Sequence, residues 1–154
     1  MTGAKVKDLA SLSRRLNEAS DILSRQIAQV EAAINELKLG VWAWVTVSKY
    51  EADSDFTVGG KSDTVTKVES LGYGKHQGKW CLLFATSYEE YPDPRLETVI
   101  PLRDAPRMER IQAVEKLPEL IQALEAKAKD MAQLATTRAG QVAEVAAALK
   151  AVAH

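Results

Sequence analysis

Cys81 and His76 are five residues apart, and a Cys–His pair is the simplest arrangement that can activate a thiolate nucleophile. Cys81, however, belongs to Trp80-Cys81-Leu82-Leu83-Phe84-Ala85, an apolar run in which a thiol serves as a small core hydrophobe. The other histidine, His154, is the last residue, and Glu89 and Glu90, between Tyr88 and Tyr91, have no evident acid–base partner. No catalytic residue is therefore expected, and a cysteine-dependent enzyme is the weaker alternative.

Phosphate and metal chemistry meet similar obstacles. Gly60-Lys61-Ser62 ends like a phosphate-binding loop, but Asp55 stands where that loop needs glycine, and Thr64-Val65-Thr66 favours a strand over the required helix. Gly72, Gly74 and Gly78 have the wrong spacing for a dinucleotide fingerprint and suit a twisted strand and a hairpin turn. Glu51, Asp53, Asp55 and Asp63 could gather around a hard cation, yet Phe56 and Thr57 break the calcium-loop pattern. A solvated acidic loop is the expectation, with no metal and no cofactor.

Two sets of residues suit binding. Trp42, Trp44 and Trp80 either pack the sheet onto helices or, left exposed, anchor a partner or stack on a base. Arg103, Arg107 and Arg110 have spacings that can share a helix face, and with Arg95 they could clamp an anion. Pairing with Asp104, Glu109 or the acidic loop is the alternative use of the same charges.

The elements that must position these groups are legible in the apolar spacing. Leu9, Leu16, Leu23, Val30 and Leu37 recur every seventh residue, flanked first by Leu12 and Ala19 and then by Ile27 and Ile34. This drift predicts a broad-striped helix over 5–39, ended by a left-handed Gly40. Asp104-Ala105-Pro106 is a helix start, predicting a short helix over 106–116, and Pro118 breaks the pattern before a long helix to 152. Two further rows mark that helix: Val114, Ile121, Ala128, Ala135, Val142 and Leu149, and Leu117, Leu124, Met131, Arg138, Val145 and Val152. Each long helix spans about 50 Å, and matched lengths predict arms lying side by side.

Between the arms, Val41–Val47 alternates two tryptophans against Val41, Ala43, Val45 and Val47. Further strands are expected at 64–75, 80–85 and 99–102, with Pro101 marking an edge and long loops at 51–63 and 87–96. The chain thus reads as one α+β domain over 1–154: a helical arm at 5–39, an antiparallel meander of about four strands in a 41–103 insert, and an arm at 105–153 broken near Pro118. In outline this order resembles prefoldin subunits, whose coiled-coil arms flank β-hairpins. It also resembles the nucleoid-associated tweezer proteins, small dimers with a helix on either side of a short sheet. No residue motif is shared with either, and no function is carried over.

With 20 basic and 21 acidic residues among 154, the net charge of −1 offers no global field for a polyanion. A single cysteine, no apolar block near Met1 and no run of roughly 20 apolar residues predict a soluble, cytoplasmic chain away from membranes. The arms predict a homo-oligomer, a dimer first, with a coiled-coil seam of Leu16, Leu23, Val30, Leu37, Leu124, Met131, Val142, Val145 and Leu149. Arg138 interrupts that row and could fix its register. The expected function is a non-enzymatic adaptor or inhibitor that contacts another protein through its Trp and Arg groups. The alternative is a nucleotide or nucleic-acid binder.

Overall fold

The computed structural model describes residues 3–58, 61–89 and 95–153, and in side-chain detail 3–51, 65–89 and 98–153. The long helix α1 (Gly3–Glu36) precedes four strands, β1 (Ala43–Val58), β2 (Lys61–His76), β3 (Lys79–Glu89) and β4 (Arg95–Pro101). A single 3-10 turn (Leu102–Asp104), the short helix α2 (Arg107–Val114) and the long helix α3 (Leu117–Ala153) follow. The strands form one antiparallel sheet in the order β1-β2-β3-β4. The expected α+β meander with flanking helices is the observed architecture.

Strand alternation divides the sheet into two faces. Val45, Leu71, Phe84 and Ile100 stand in one cross-strand row, and Ala43, Tyr73 and Leu82 in the next. Both rows meet Ile27 and Ile34 of α1 and Leu120 and Leu124 of α3, with Leu102, Ala105 and Ala113 completing the core. On the other face Cys81, Leu83 and Ala85 are also buried, so β3 is covered on both sides, as its unbroken apolar run requires. Trp44 pairs with Gly72 in register, and its ring lies flat on the glycine: a Cβ there would sit 2.4 Å from Trp44 Cε3.

Turns and joints follow from backbone preferences. Gln77 and Gly78 link β2 to β3 with φ of 51° and 80°, the paired positive angles that match hairpin twist. Pro118 lies in the first turn of α3, where its missing N–H costs nothing, and α2 stops just before it at Val114. The left-handed turn after α1 falls first on Lys38, at φ 50°, and then on Gly40, at φ 65°. The helix therefore ends earlier than the expected Gly40 cap, its last amides bonding back from Leu37 to Ile34 and from Lys38 to Asn35.

Two expectations are corrected. The segment expected to be a loop at 51–63 is mostly strand: β1 runs to Val58 and β2 starts at Lys61, paired as far as Val58 with Lys61. Glu51 to Val58 carries no unbroken apolar alternation in the sequence, so the two-residue period that marks a strand is weak there. Register irregularities at Thr46/Ser48 and Asp53/Thr57 further obscure its period. Of the second expected loop, 87–96, residues 87–89 and 95–96 are strand and 90–94 lie outside the described residues, as do the acidic side chains at 53, 55 and 63.

The arms do not lie side by side. α1 packs on β3, the 3-10 turn and α2, whereas α3 packs on β1 and β2. Residues 3–19 of α1 and 129–153 of α3 are exposed at every position. The apolar repeat is thus divided: part of each row enters the core, and the rest continues into solvent.

Adding a methyl group at Gly72 forces Trp44 off the sheet, so Gly72→Ala is expected to cost about 1–3 kcal/mol in urea unfolding. Gly140, with nothing within 4 Å of a Cβ, is the internal control. There the same change is expected to be neutral or to stabilise α3 by up to about 1 kcal/mol.

Candidate functional site

β4 ends at Pro101, paired with Leu83, so the stretch of β3 from Trp80 to Leu82 has no strand beside it on that edge. Unpaired backbone groups at a buried edge are costly. Here α1 supplies the partners. Glu31 Oε2 accepts the Leu82 N–H at 3.0 Å, and Asn35 Nδ2 donates to the Trp80 carbonyl at 3.2 Å. The two residues are four apart, so both project from one helix face. Asn35 Oδ1 also accepts from the Tyr73 hydroxyl.

A cleft of about 810 Å³ opens beside this junction. Its walls are the end of α1 with Lys38 and Leu39, the β2–β3 turn with His76 and Lys79, and the 3-10 turn with Arg103 and Asp104. Trp80 and Tyr73 line it as a stacked pair, ring centroids 5.5 Å apart and planes at 21°, and Lys75 Nζ lies 5.6 Å from the Trp80 centroid.

Cys81 and His76 both line this cleft. The pairs Gly74–Cys81 and His76–Lys79 put them on one face as diagonal neighbours, a relation that spans about 7–8 Å between backbones. Burial pushes the Cys81 thiol above its ordinary range, the Glu31 charge adds to this, Arg103 opposes it and Asp104 reinforces it. The Tyr73 hydroxyl is raised in the same way, by burial first and then by Glu31 and Cys81. A thiol held protonated is a poor nucleophile. Among the described residues no group of three or more His, Cys, Asp or Glu is placed to hold a metal ion.

The structure separates the other residues singled out above. Trp80 is partly buried against the core, Trp44 covers Gly72, and Trp42 is 57% exposed with Lys127 Nζ 4.0 Å over its ring. The arginines do not converge. Arg110 donates to the carbonyls of Arg103 and Ala105 at 3.3 and 3.1 Å and to Ser20 Oγ at 3.1 Å, and its buried Nε is without a partner. Arg107 Nη2 donates to Asn17 Oδ1 at 2.7 Å. Both therefore fasten the α2 region to α1, while Arg103 faces the cleft. Arg95 pairs with Tyr88 through strand register, and its side chain lies outside the described residues.

Of the expected seam, Leu124 is in the intramolecular core, and Leu23 and Val30 pack partly against it. Leu16, Leu37, Met131, Val142, Val145 and Leu149 are exposed. One polar cluster was not foreseen: buried Glu69 accepts from Ser48 Oγ at 3.0 Å and from Tyr50 Oη at 3.2 Å. The bulge between Thr46 and Ser48 realigns these residues, so simple alternation along β1 does not reveal the set.

Arg110→Ala removes two bonds to the turn before α2 and one to α1, and it leaves Ser20 buried without its donor. A loss of about 2–4 kcal/mol is expected in chemical denaturation, and Arg110→Lys, lacking the fork, should restore only part of it. Because the Cys81 and Tyr73 values are raised, the unfolded chain releases those protons first as pH rises. Stability should be fully present below pH 9, the ordinary thiol range, and fall above it, with a smaller fall in Cys81→Ala.

Compared with protein-family models, curated proteins and solved structures, the chain matches none.

Proposed function

We propose that the chain is a non-enzymatic, homo-oligomeric interaction protein, an adaptor or inhibitor and in its simplest form a dimer, assembled through its helical arms. The observation that carries this reading is the outer part of α3. Met131, Val142, Val145, Leu149 and Val152 continue the rows whose inner members Leu117, Leu124 and Ala128 pack in or against the core, and they are 53–85% exposed. Leu134 adds to the same segment.

Physical chemistry disfavours leaving such a segment bare. Residues 129–153 extend about 37 Å, and isolated helices draw most of their stability from a packed apolar face. This one contains Thr136, Thr137 and Gly140, weak helix formers, and both threonine hydroxyls bond back to carbonyls four residues earlier, at 2.9 and 3.1 Å. An exposed apolar stripe of this length marks an association surface. α1 contributes a second one through Val6, Leu9, Leu12 and Leu16.

The occupant that suits these stripes is a second copy, whose equivalent rows have the same period and Ala-rich, closely approachable surface. Arg138 lies in the row with its Nη1 bonded to Gln141 Oε1 at 2.9 Å, and a charge in this position discriminates between registers. The nucleotide or nucleic-acid reading has less support, since Arg107 and Arg110 are engaged within the chain and Lys127 covers a face of Trp42.

Sedimentation equilibrium at micromolar concentration is expected to give an integral multiple of the single-chain mass. Val142→Asp with Leu149→Asp should reduce it to one chain and lower the helical signal in circular dichroism, with the sheet retained. Leu23 and Val30 are unsuitable for this test, because both also touch the core. A single-chain mass for the unaltered protein would refute the reading.

A further inference from the structure

We propose that the cleft beside the β2–β3 turn binds a small organic anion, a phosphate or carboxylate carried on a planar apolar group. Three cationic side chains from three separate elements line it: Lys38 at the end of α1, Lys79 in the hairpin and Arg103 in the 3-10 turn. Among the described residues none of the three enters an ion pair or donates a side-chain hydrogen bond. They approach the cleft from three walls, and Glu31 and Asp104 in the same lining offset their mutual repulsion only in part.

The opposing charges are few. Glu31 accepts the Leu82 N–H through Oε2 and keeps its negative charge, so Glu31, Asp104 and the carbonyl end of α1 all disfavour an anion, and the three cations outnumber the two carboxylates by one. Binding therefore depends on the cations acting together. An arginine fork holds a phosphate or carboxylate in two parallel bonds, and the lysines add point charge.

The remaining features suit the organic part of such a ligand. The volume of about 810 Å³ falls in the range of small-molecule sites. Trp80, partly buried and stacked on Tyr73, and Leu39 provide apolar wall. This site is independent of the arms, so it stands whatever the assembly state.

The test is amide and indole NMR of the full chain titrated with phenyl phosphate, with phenol and benzylamine as neutral and cationic controls. Phenyl phosphate is expected to shift the Trp80 indole and the amides of Gly40, Gly78 and Cys81, and inorganic phosphate to shift the same set more weakly. Arg103→Ala and Lys79→Ala, both at exposed positions, should each weaken binding about tenfold or more. Absence of shifts at millimolar phenyl phosphate would overturn the proposal. So would equal response to phenol or benzylamine, or shifts that persist in the double variant.

Discussion

The rest of the molecule depends on how the edge of β3 is completed. Trp80 and Leu82 extend past the end of β4, and their backbone groups take partners from Asn35 and Glu31. That substitution fixes the height and rotation of α1 over the sheet. It turns Ile27 and Ile34 into the core and sets Asn35 against Tyr73. The cleft is a by-product, since a helix standing in for a strand cannot fill the space the strand would have occupied.

A second attachment holds the other end of the packed part of α1. Arg110 reaches Ser20 while gripping two carbonyls of the preceding turn, and Arg107 reaches Asn17. Between these two attachments lies the half of α1 that belongs to the globule. From Ala19 back to Gly3 the helix is exposed at every position, Asn17 included. α3 repeats this division, with Leu120 and Leu124 inside and everything after Ala128 outside. Each arm is therefore an anchored inner half and a bare outer half.

Much of this was legible in the residues. The seven-residue rows announced both helices, Pro118 the joint, and the Trp80–Ala85 run a strand covered on two sides. What they could not announce was which part of a row is used where. Leu124 and Met131 obey the same period, yet one is core and the other is exposed, because periodicity reports a face and not its partner. The ribbon beyond residue 50 was not legible because Glu51 to Val58 carries no unbroken apolar alternation. The cleft escaped because its cations, Lys38, Lys79 and Arg103, are scattered in sequence and meet only through α1, whereas Arg107 and Arg110, which looked like a cluster, are taken up by helix docking.

The continuity of α3 has a mechanical meaning. The helix is seated on β1 and β2 over its first three turns and runs without interruption to Ala153. It therefore acts as a lever with a short seated arm and a long free one. A tilt of about 10° at Lys127 displaces the tip by roughly 7 Å at about 1.5 Å rise per residue. Read in reverse, whatever grips the tip exerts torque on the sheet edge, and the first contact to feel it is the ammonium of Lys127 over the ring of Trp42.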